Sequence, residues 1–293
     1  MEFHEFFHEV VIHSALDTLK LIPFLFVTYL LMEFIEHKSS AKTDAFIKKS
    51  GSLGPLVGGF LGIIPQCGFS SVASNLFNSG VITVGTTIAV FLSTSDEMIP
   101  ILLASAIPVH TVISLISYKV VVAVLVGFTV DIIFNYILQV KPSCEIDKFC
   151  KDTDCHCEEE GILKSTIRHT TSITLFILLI TFTINVLLFI LGKNTLAMLL
   201  YNKPVVSHIV ASILGLVPNC ATSVLLSTLY ADGIITLGTM LSGLFTGAGA
   251  GLLVLYKLHP HKQTVLTFIG ILVVTGIMFG IIADLPFISN LLC

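Results

Sequence analysis

Long apolar stretches separated by short polar loops occupy most of this 293-residue chain. A helix needs roughly 20 residues to cross a hydrocarbon core, and several of the stretches reach that length, among them 109–138 and 172–191. Apolar residues make up 54% of the chain and charged residues 12%, which is about half the charge of a soluble domain. The pattern predicts an all-α polytopic membrane protein.

Breaks in the apolar pattern divide the chain into segments. Proline breaks a helix because it lacks an amide hydrogen and clashes with the preceding turn, and one break falls at Pro65. The predicted membrane segments are 10–36, 51–78, 80–104 and 108–138, then 166–191, 205–230, 233–256 and 263–282. We therefore expect a first membrane repeat at 1–140, a polar linker at 141–164 and a second membrane repeat at 165–293.

The two membrane parts are copies of one another at an offset of 153 residues. Residues 61–86 and 214–239 align without a gap and are identical at twelve of twenty-six positions. The same offset pairs Asp131 with Asp284. Each copy sets a proline, an amide and a cysteine in an apolar stretch, which is typical of two broken helices that meet at a binding site.

The distribution of basic residues predicts how the repeats are oriented. Three loops, at 37–50, 141–168 and 257–262, hold eleven of the fifteen Lys and Arg residues, which assigns them to the cytoplasm of a cell (inner) membrane. Equivalent loops of the two copies then lie on opposite sides. The copies are therefore expected to be inverted, with either three spans and a re-entrant hairpin or five spans in each.

The paired proline motifs are the leading candidate for a substrate site. A break in a membrane helix frees backbone groups that lipid cannot satisfy, so it is tolerated where it faces protein or a water-filled cavity. The alternative interpretation is a packing kink with a buried apolar cysteine. The candidate substrate-binding residues are Gln66, Cys67, Ser70 and Ser71 in the first copy, and Asn219, Cys220, Thr222 and Ser223 in the second.

Two acids within an apolar segment are candidates for cation binding and coupling. Asp96 and Glu97 follow three hydroxyl residues, and a charge at this depth costs several kcal/mol. The second copy has 246–250, Thr-Gly-Ala-Gly-Ala, at the equivalent positions, so the fold does not need the acids. They act as a cation ligand or proton carrier, or else are solvated at the interface.

Other polar residues of the membrane segments have plainer interpretations. Asp131 and Asp284 lie near helix ends, where we expect interfacial caps or solvated side chains. Lys119 lies deeper in its helix, and we expect it either to snorkel to the interface or to pair with an acid.

The central linker carries a cluster of metal-ligating residue types. Thiolates and imidazole suit zinc, copper or iron, so the cluster predicts transient capture of a metal. The alternative is an acidic tether. The cluster consists of Cys144, Cys150, Cys155, His156 and Cys157, and the metal-binding candidates of the membrane part are Cys67, Cys220, Asp96 and Glu97.

Several function classes find no support in the sequence. A single arginine and no basic stripe argue against nucleic-acid binding. Enzymes acting on lipid phosphates usually need arginine or several acids near the phosphate, and the membrane core here has no arginine. The expected partners are the lipid bilayer and a metal ion as substrate, with a homodimer left open. No tightly bound cofactor and no catalytic residue are expected.

The chain resembles the ten-helix heavy-metal exporters described as manganese transporters or arsenic-efflux-like permeases. The resemblance rests on G-x-x-P-Q-C-G at 62–68, on G-x-x-P-N-C-A at 215–221 and on the Cys-rich linker, and it covers nearly the whole chain. It implies export of a metal or metalloid. The cysteine-rich linker departs from what a hard manganese ion prefers.

These observations lead to one hypothesis and its rivals. The chain is expected to be a secondary active transporter that exports a divalent transition-metal cation (Mn, Fe or Zn class), driven by a proton gradient, with alternating access around the two helix breaks. The nearest rival exports arsenite or another anion, and the rival from another class is the lipid-phosphate enzyme. A channel is a further alternative.

Overall fold

The structure is a computed structural model that describes residues 53–63, 67–94, 98–134, 162–191, 205–218, 220–259 and 262–292, with six further residues between positions 19 and 30. Those six residues are helical and lie inside the predicted first span. Throughout the described ranges all regular structure is helical, which confirms the all-α prediction. The linker cysteines and the basic loop at 37–50 lie outside the described residues.

Twelve helices are described in full, and their order follows the duplication. The first half contains α1 (Gly54–Leu61), α2 (Cys67–Asn78), α3 (Val84–Ser93), α4 (Met98–Ala104) and α5 (Val109–Ile132). The second half contains α6 (Ile162–Leu191), α7 (Val206–Gly215), α8 (Cys220–Ala231), α9 (Leu237–Thr246), α10 (Ala250–Leu258), α11 (Lys262–Ala283) and α12 (Pro286–Leu292).

The boundaries of equivalent helices agree at the sequence offset. Helices α2 and α8 begin and end 153 residues apart, and so do α3 and α9. The N-cap of α3 is Thr83 and that of α9 is Thr236, and each hydroxyl accepts a hydrogen bond from the third residue beyond it. The duplicated sequence therefore folds into duplicated helices with duplicated caps.

Four helical spans among the described residues are long and apolar enough to cross a membrane. They are Val84–Ala104, Val109–Ile132, Leu237–Leu258 and Lys262–Ala283. Large apolar side chains point outward on the equivalent helices α5 and α11, including Leu125 on α5 and Leu266 on α11. Such exposure is expected where the neighbour is lipid, and the chain is a multi-pass membrane protein.

Each half contains one span that is interrupted at the same place. The first interruption separates α3 from α4, and the second separates α9 from α10 at residues 247–249. The sequence placed a membrane segment at 233–256 without marking an interruption in it. Gly249 has φ of 52°, a left-handed conformation that glycine adopts at little cost, and a helix cannot continue through it.

Close helix crossings at glycine hold each half together. A Cβ atom added to Gly85 would lie 2.1 Å from the carbonyl oxygen of Gly127, so α3 and α5 touch through their backbones. The equivalent distance from Gly238 to the Gly280 oxygen is also 2.1 Å, between α9 and α11. Small residues allow this approach, which is how membrane helices gain packing energy without a hydrophobic driving force.

At the interface between the two halves, one helix of each half packs on a helix of the other half. Helix α2 of the first half packs on α10 of the second, and α8 of the second half packs on α4 of the first. Between these two pairs, α3 contacts α9. The interrupted spans of both halves therefore meet at the centre of the described structure.

Candidate functional site

The proline–cysteine motifs lie where α2 and α8 begin. Cys67 is the first residue of α2, and Cys220 is the first residue of α8. Their side chains lie outside the described part of the chain, together with Pro65, Gln66 and Asn219. The predicted approach of the two cysteines, and their role as ligands, therefore stay predictions.

The four hydroxyl candidates next to these motifs are buried. Ser70 and Ser71 have no exposed surface, Thr222 is 2% exposed and Ser223 is 9% exposed. Hydroxyl groups in a membrane interior are stable only where protein, water or a ligand provides hydrogen-bond partners. The structure therefore places these candidates inside the protein rather than against lipid.

The buried polar face of α2 is fixed against α10. Ser74 lies one turn beyond Ser70 on this face, and its hydroxyl donates to the carbonyl oxygens of Ser70 at 2.9 Å and Gly251 at 2.7 Å. A Cβ atom on Gly251 would lie 2.8 Å from the Ser70 backbone, so only glycine fits. The candidate hydroxyls of the first half thus belong to a tight contact with the second half.

The equivalent contact between α8 and α4 has different chemistry. Ser227 corresponds to Ser74 and is fully buried, but its hydroxyl has no hydrogen-bond partner within the described residues. Met98 stands on α4 where Gly251 stands on α10, and it is also fully buried. A buried hydroxyl without a partner is costly, and such groups are found where a ligand or water completes the bonding.

A lysine lies at the centre of the interface between the halves. The side chain of Lys119, on α5, has no exposed surface. Its Nζ donates to the carbonyl oxygen of Thr94, the C-cap residue of α3, and to that of Leu244 in the last turn of α9 at 3.4 Å. The ring centroid of Phe245 lies 5.9 Å away. The snorkelling interpretation of Lys119 is therefore wrong, because helix ends inside the protein supply its acceptors.

The acids predicted to bind a cation or carry a proton lie two and three residues after Thr94 in the chain. Asp96 and Glu97 come between α3 and α4 in the sequence and lie outside the described residues. The position equivalent to Lys119 in the second half is Leu272, which is fully buried in the apolar core. The charged groups of the interrupted region thus come from the first half alone.

Asp131 caps the N-terminus of the first interrupted span. Its carboxylate accepts hydrogen bonds from the Thr83 hydroxyl at 2.7 Å and from the Gly85 amide at 2.8 Å. Free amide groups and the helix dipole favour a negative charge at this end. The expectation of a cap is confirmed, and the carboxylate also ties α5 to α3.

Asp284 makes the same network in the second half and adds a histidine. It accepts from the Thr236 hydroxyl at 2.6 Å and from the Gly238 amide at 2.7 Å, and His208 Nε2 lies 3.2 Å from the carboxylate. Burial raises the pKa of Asp284, but hydrogen bonds from His208, Thr236 and Gly238 outweigh burial and hold that pKa below its ordinary value. The position equivalent to His208 is Pro55.

Comparison with known protein families assigns this chain to one of them. A sequence model of the family described as "Putative, 10TM heavy-metal exporter" matches residues 7–207, more than half of the chain. The chain belongs to this heavy-metal exporter family. No curated protein matches it, and no solved structure matches it.

Membership of the heavy-metal exporter family directs attention to groups that could hold a metal ion. Within the described ranges no three His, Cys, Asp or Glu side chains lie close enough together to do so. The predicted metal ligands of this exporter-family chain have side chains outside the described part: Cys67 and Cys220 begin α2 and α8, and the others belong to residues 95–97 or to the linker. The described residues contribute helix ends, buried hydroxyls and the Lys119 ammonium group to the interface between the two halves.

Sequence reasoning missed two residues of this exporter-family chain. His208 escaped notice because its equivalent is a proline, so the comparison of the copies gave no signal. Ser227 lay just beyond the hydroxyls chosen as candidates. The signal for Ser227 was available, because it lies seven residues after Cys220 and shares its helix face, as Ser74 does with Cys67.

Proposed function

We propose that this member of the heavy-metal exporter family is a secondary active transporter that exports a divalent transition-metal cation of the Mn, Fe or Zn class. The observation that carries the proposal is the contact between α3 and α9, the first parts of two interrupted spans from different halves of the chain. Interrupted membrane helices form the ion and substrate sites of many secondary transporters.

The transport mechanism in this proposal is alternating access by two inverted repeats. The packing of α2 on α10 and of α8 on α4 supports a two-fold relation, since each contact has an equivalent in the other half. The swapped bias of the lysine-rich loops supports an axis in the membrane plane. Rocking of one repeat against the other would then open the central site to each side in turn.

The substrate site in this proposal lies at the two helix breaks. Cys67 and Cys220 would bind the cation together with Gln66, Asn219 and the neighbouring hydroxyls, and the burial of Ser70 and Thr222 supports this. Asp96 and Glu97 would supply negative charge and couple transport to a proton gradient. The chain has no Walker motif, so ATP hydrolysis within this chain is not the energy source in the proposal.

The experiment is transport in proteoliposomes with a panel of Mn²⁺, Fe²⁺, Zn²⁺ and arsenite, with and without an imposed pH gradient. We expect gradient-dependent movement of at least one divalent cation. The double variant Cys67→Ser/Cys220→Ser should lose transport of soft ions at an unchanged expression level. Movement of arsenite alone would replace the proposed substrate with the metalloid, which paired cysteines also suit.

A linker deletion provides the matched control for that experiment. The linker cysteines lie between the repeats in sequence, so removal of residues 144–160 should leave transport intact at saturating substrate. It should weaken capture of a thiophilic ion at low concentration. Loss of all transport in a correctly folded deletion variant would make the linker part of the pathway.

A further inference from the structure

The ammonium group of Lys119 occupies a position that is built for a cation. It lies against the C-terminal ends of two helices, α3 and α9, and these belong to different halves of the chain. The last carbonyl groups of a helix lack partners within the helix, and the helix dipole makes that end negative. Carbonyl oxygens at such ends coordinate cations in membrane transporters.

The fold does not require a charge at this position. Leu272 stands at the equivalent place in the second half, and both side chains are fully buried. A lysine within a membrane span is costly by insertion scales, whereas leucine is favourable. Packing alone therefore gives no account of the ammonium group, while the carbonyl groups that it contacts include one from each half among the described residues.

We propose that Lys119 is a built-in cation that occupies the site between α3 and α9 while the transporter is empty, and that the transported cation displaces it. This inference rests on the proposed function and deepens it by assigning the residue that holds the empty state. Two like charges in contact repel strongly inside a protein, where the effective dielectric constant is far below that of water, and a divalent ion doubles the repulsion. The ammonium group and the substrate therefore exclude one another from these carbonyl groups.

Mutual exclusion of the Lys119 ammonium group and the transported ion should affect net export and metal–metal exchange differently. Net export requires the empty protein to change conformation, and the ammonium group joins α3 to α9 in that step. Exchange of one metal ion for another releases and rebinds the ion on the same side, so it does not require the empty protein to change conformation. Loss of the charge at position 119 should therefore remove net export and leave exchange in place.

The test uses the full-length protein with Mn²⁺ as the probe. Lys119→Met keeps an unbranched side chain and removes the charged end group, and Leu272→Met is the matched control. We expect Lys119→Met to bind Mn²⁺ about tenfold more tightly, to retain Mn²⁺–Mn²⁺ exchange and to lose net efflux. Lys119→Arg should keep part of the net efflux, and the Leu272 variant should behave like the parent.

A measurement on the parent protein covers the case in which Lys119→Met does not fold. Mass spectrometry after labelling with an amine-reactive reagent should show Lys119 modified faster when Mn²⁺ is present, because the displaced ammonium group enters the cavity. Unchanged labelling, or a Lys119→Met variant with the Mn²⁺ affinity and net efflux of the parent, overturns the inference while the proposed function stands. A parent protein that moves no cation of the panel overturns the proposed function itself.

Discussion

Asp131 and Asp284 cap equivalent helices in the two halves of the chain, but only Asp284 also contacts a histidine. Pro55, at the start of α1, replaces that histidine in the first half, and it cannot change its charge. The two caps therefore share their hydrogen bonds to a threonine hydroxyl and a glycine amide, and they differ in the histidine that contacts Asp284.

A second difference lies at the interrupted spans. The first half carries Lys119 on α5 and two acids in its interruption, and the second half carries Leu272 and a glycine-rich turn. The duplication shows which features the fold needs, because both halves have them. The features present in one half only are the candidates for chemistry, and most of the charge belongs to the first half.

Removal of the acids should have the largest effect on this comparison. Asp96→Asn or Glu97→Gln would give the first interruption a neutral character like that of the second, and we expect gradient-driven transport to be abolished. The measurement is uptake into inside-out vesicles with an imposed gradient. Transport equal to that of the parent in both variants would mean that the acids are only solvated at the interface.

The glycine crossings should prove equally intolerant in the two halves. In both Gly85→Ala and Gly238→Ala the new methyl group would lie 2.1 Å from a carbonyl oxygen, so the helices must separate. We expect each variant to lose about 1–3 kcal/mol of stability or more. Thermal unfolding in detergent measures this, with Gly270→Ala as the control because nothing lies within 4 Å of its added methyl group. A large effect in one half only would mean that the two crossings are not equivalent.

The Asp284 cap should make the stability of the second half depend on pH. The lowered pKa of Asp284 means that its contribution to stability is fully present above the ordinary carboxyl pKa of about 3.9 and is lost as pH falls through the lower folded-state value. Asp284→Asn should therefore flatten the loss of thermal stability at acid pH. His208→Gln should remove part of the same effect, with a coupling of about 0.5–3 kcal/mol in a double-mutant cycle. Additive effects would show that the 3.2 Å contact contributes nothing.

The smallest expected effect separates packing from binding. Ser74→Ala removes the hydrogen bond to Gly251 and should cost about 0.5–1.5 kcal/mol. Ser227→Ala removes a hydroxyl that has no partner among the described residues, so stability should stay the same or rise slightly. If Ser227 contacts substrate, the variant should instead show weaker transport at unchanged stability. Equal destabilisation by both substitutions would remove this distinction between the halves.

The sequence predicted the helix boundaries better than the contacts between helices. The offset of 153 residues gave the boundaries of α8 and α9 once α2 and α3 were placed, because the same apolar pattern and threonine caps recur. The interruption at Gly249 was missed because neither proline nor charge marks it. The acceptors of Lys119 were out of reach of the sequence, since one of them, Leu244, lies 125 residues away and is a backbone group.

The packing of α2 on α10 also sets an order of events during synthesis. Ser74 and its acceptor on Gly251 are separated by 177 residues, which a ribosome takes roughly 9–35 s to add at 5–20 residues per second. Throughout that interval α2 has been made and its partner helix has not. The first half must therefore wait in the bilayer until α10 arrives, and meanwhile the Ser74 hydroxyl can donate to the Ser70 carbonyl oxygen of its own helix.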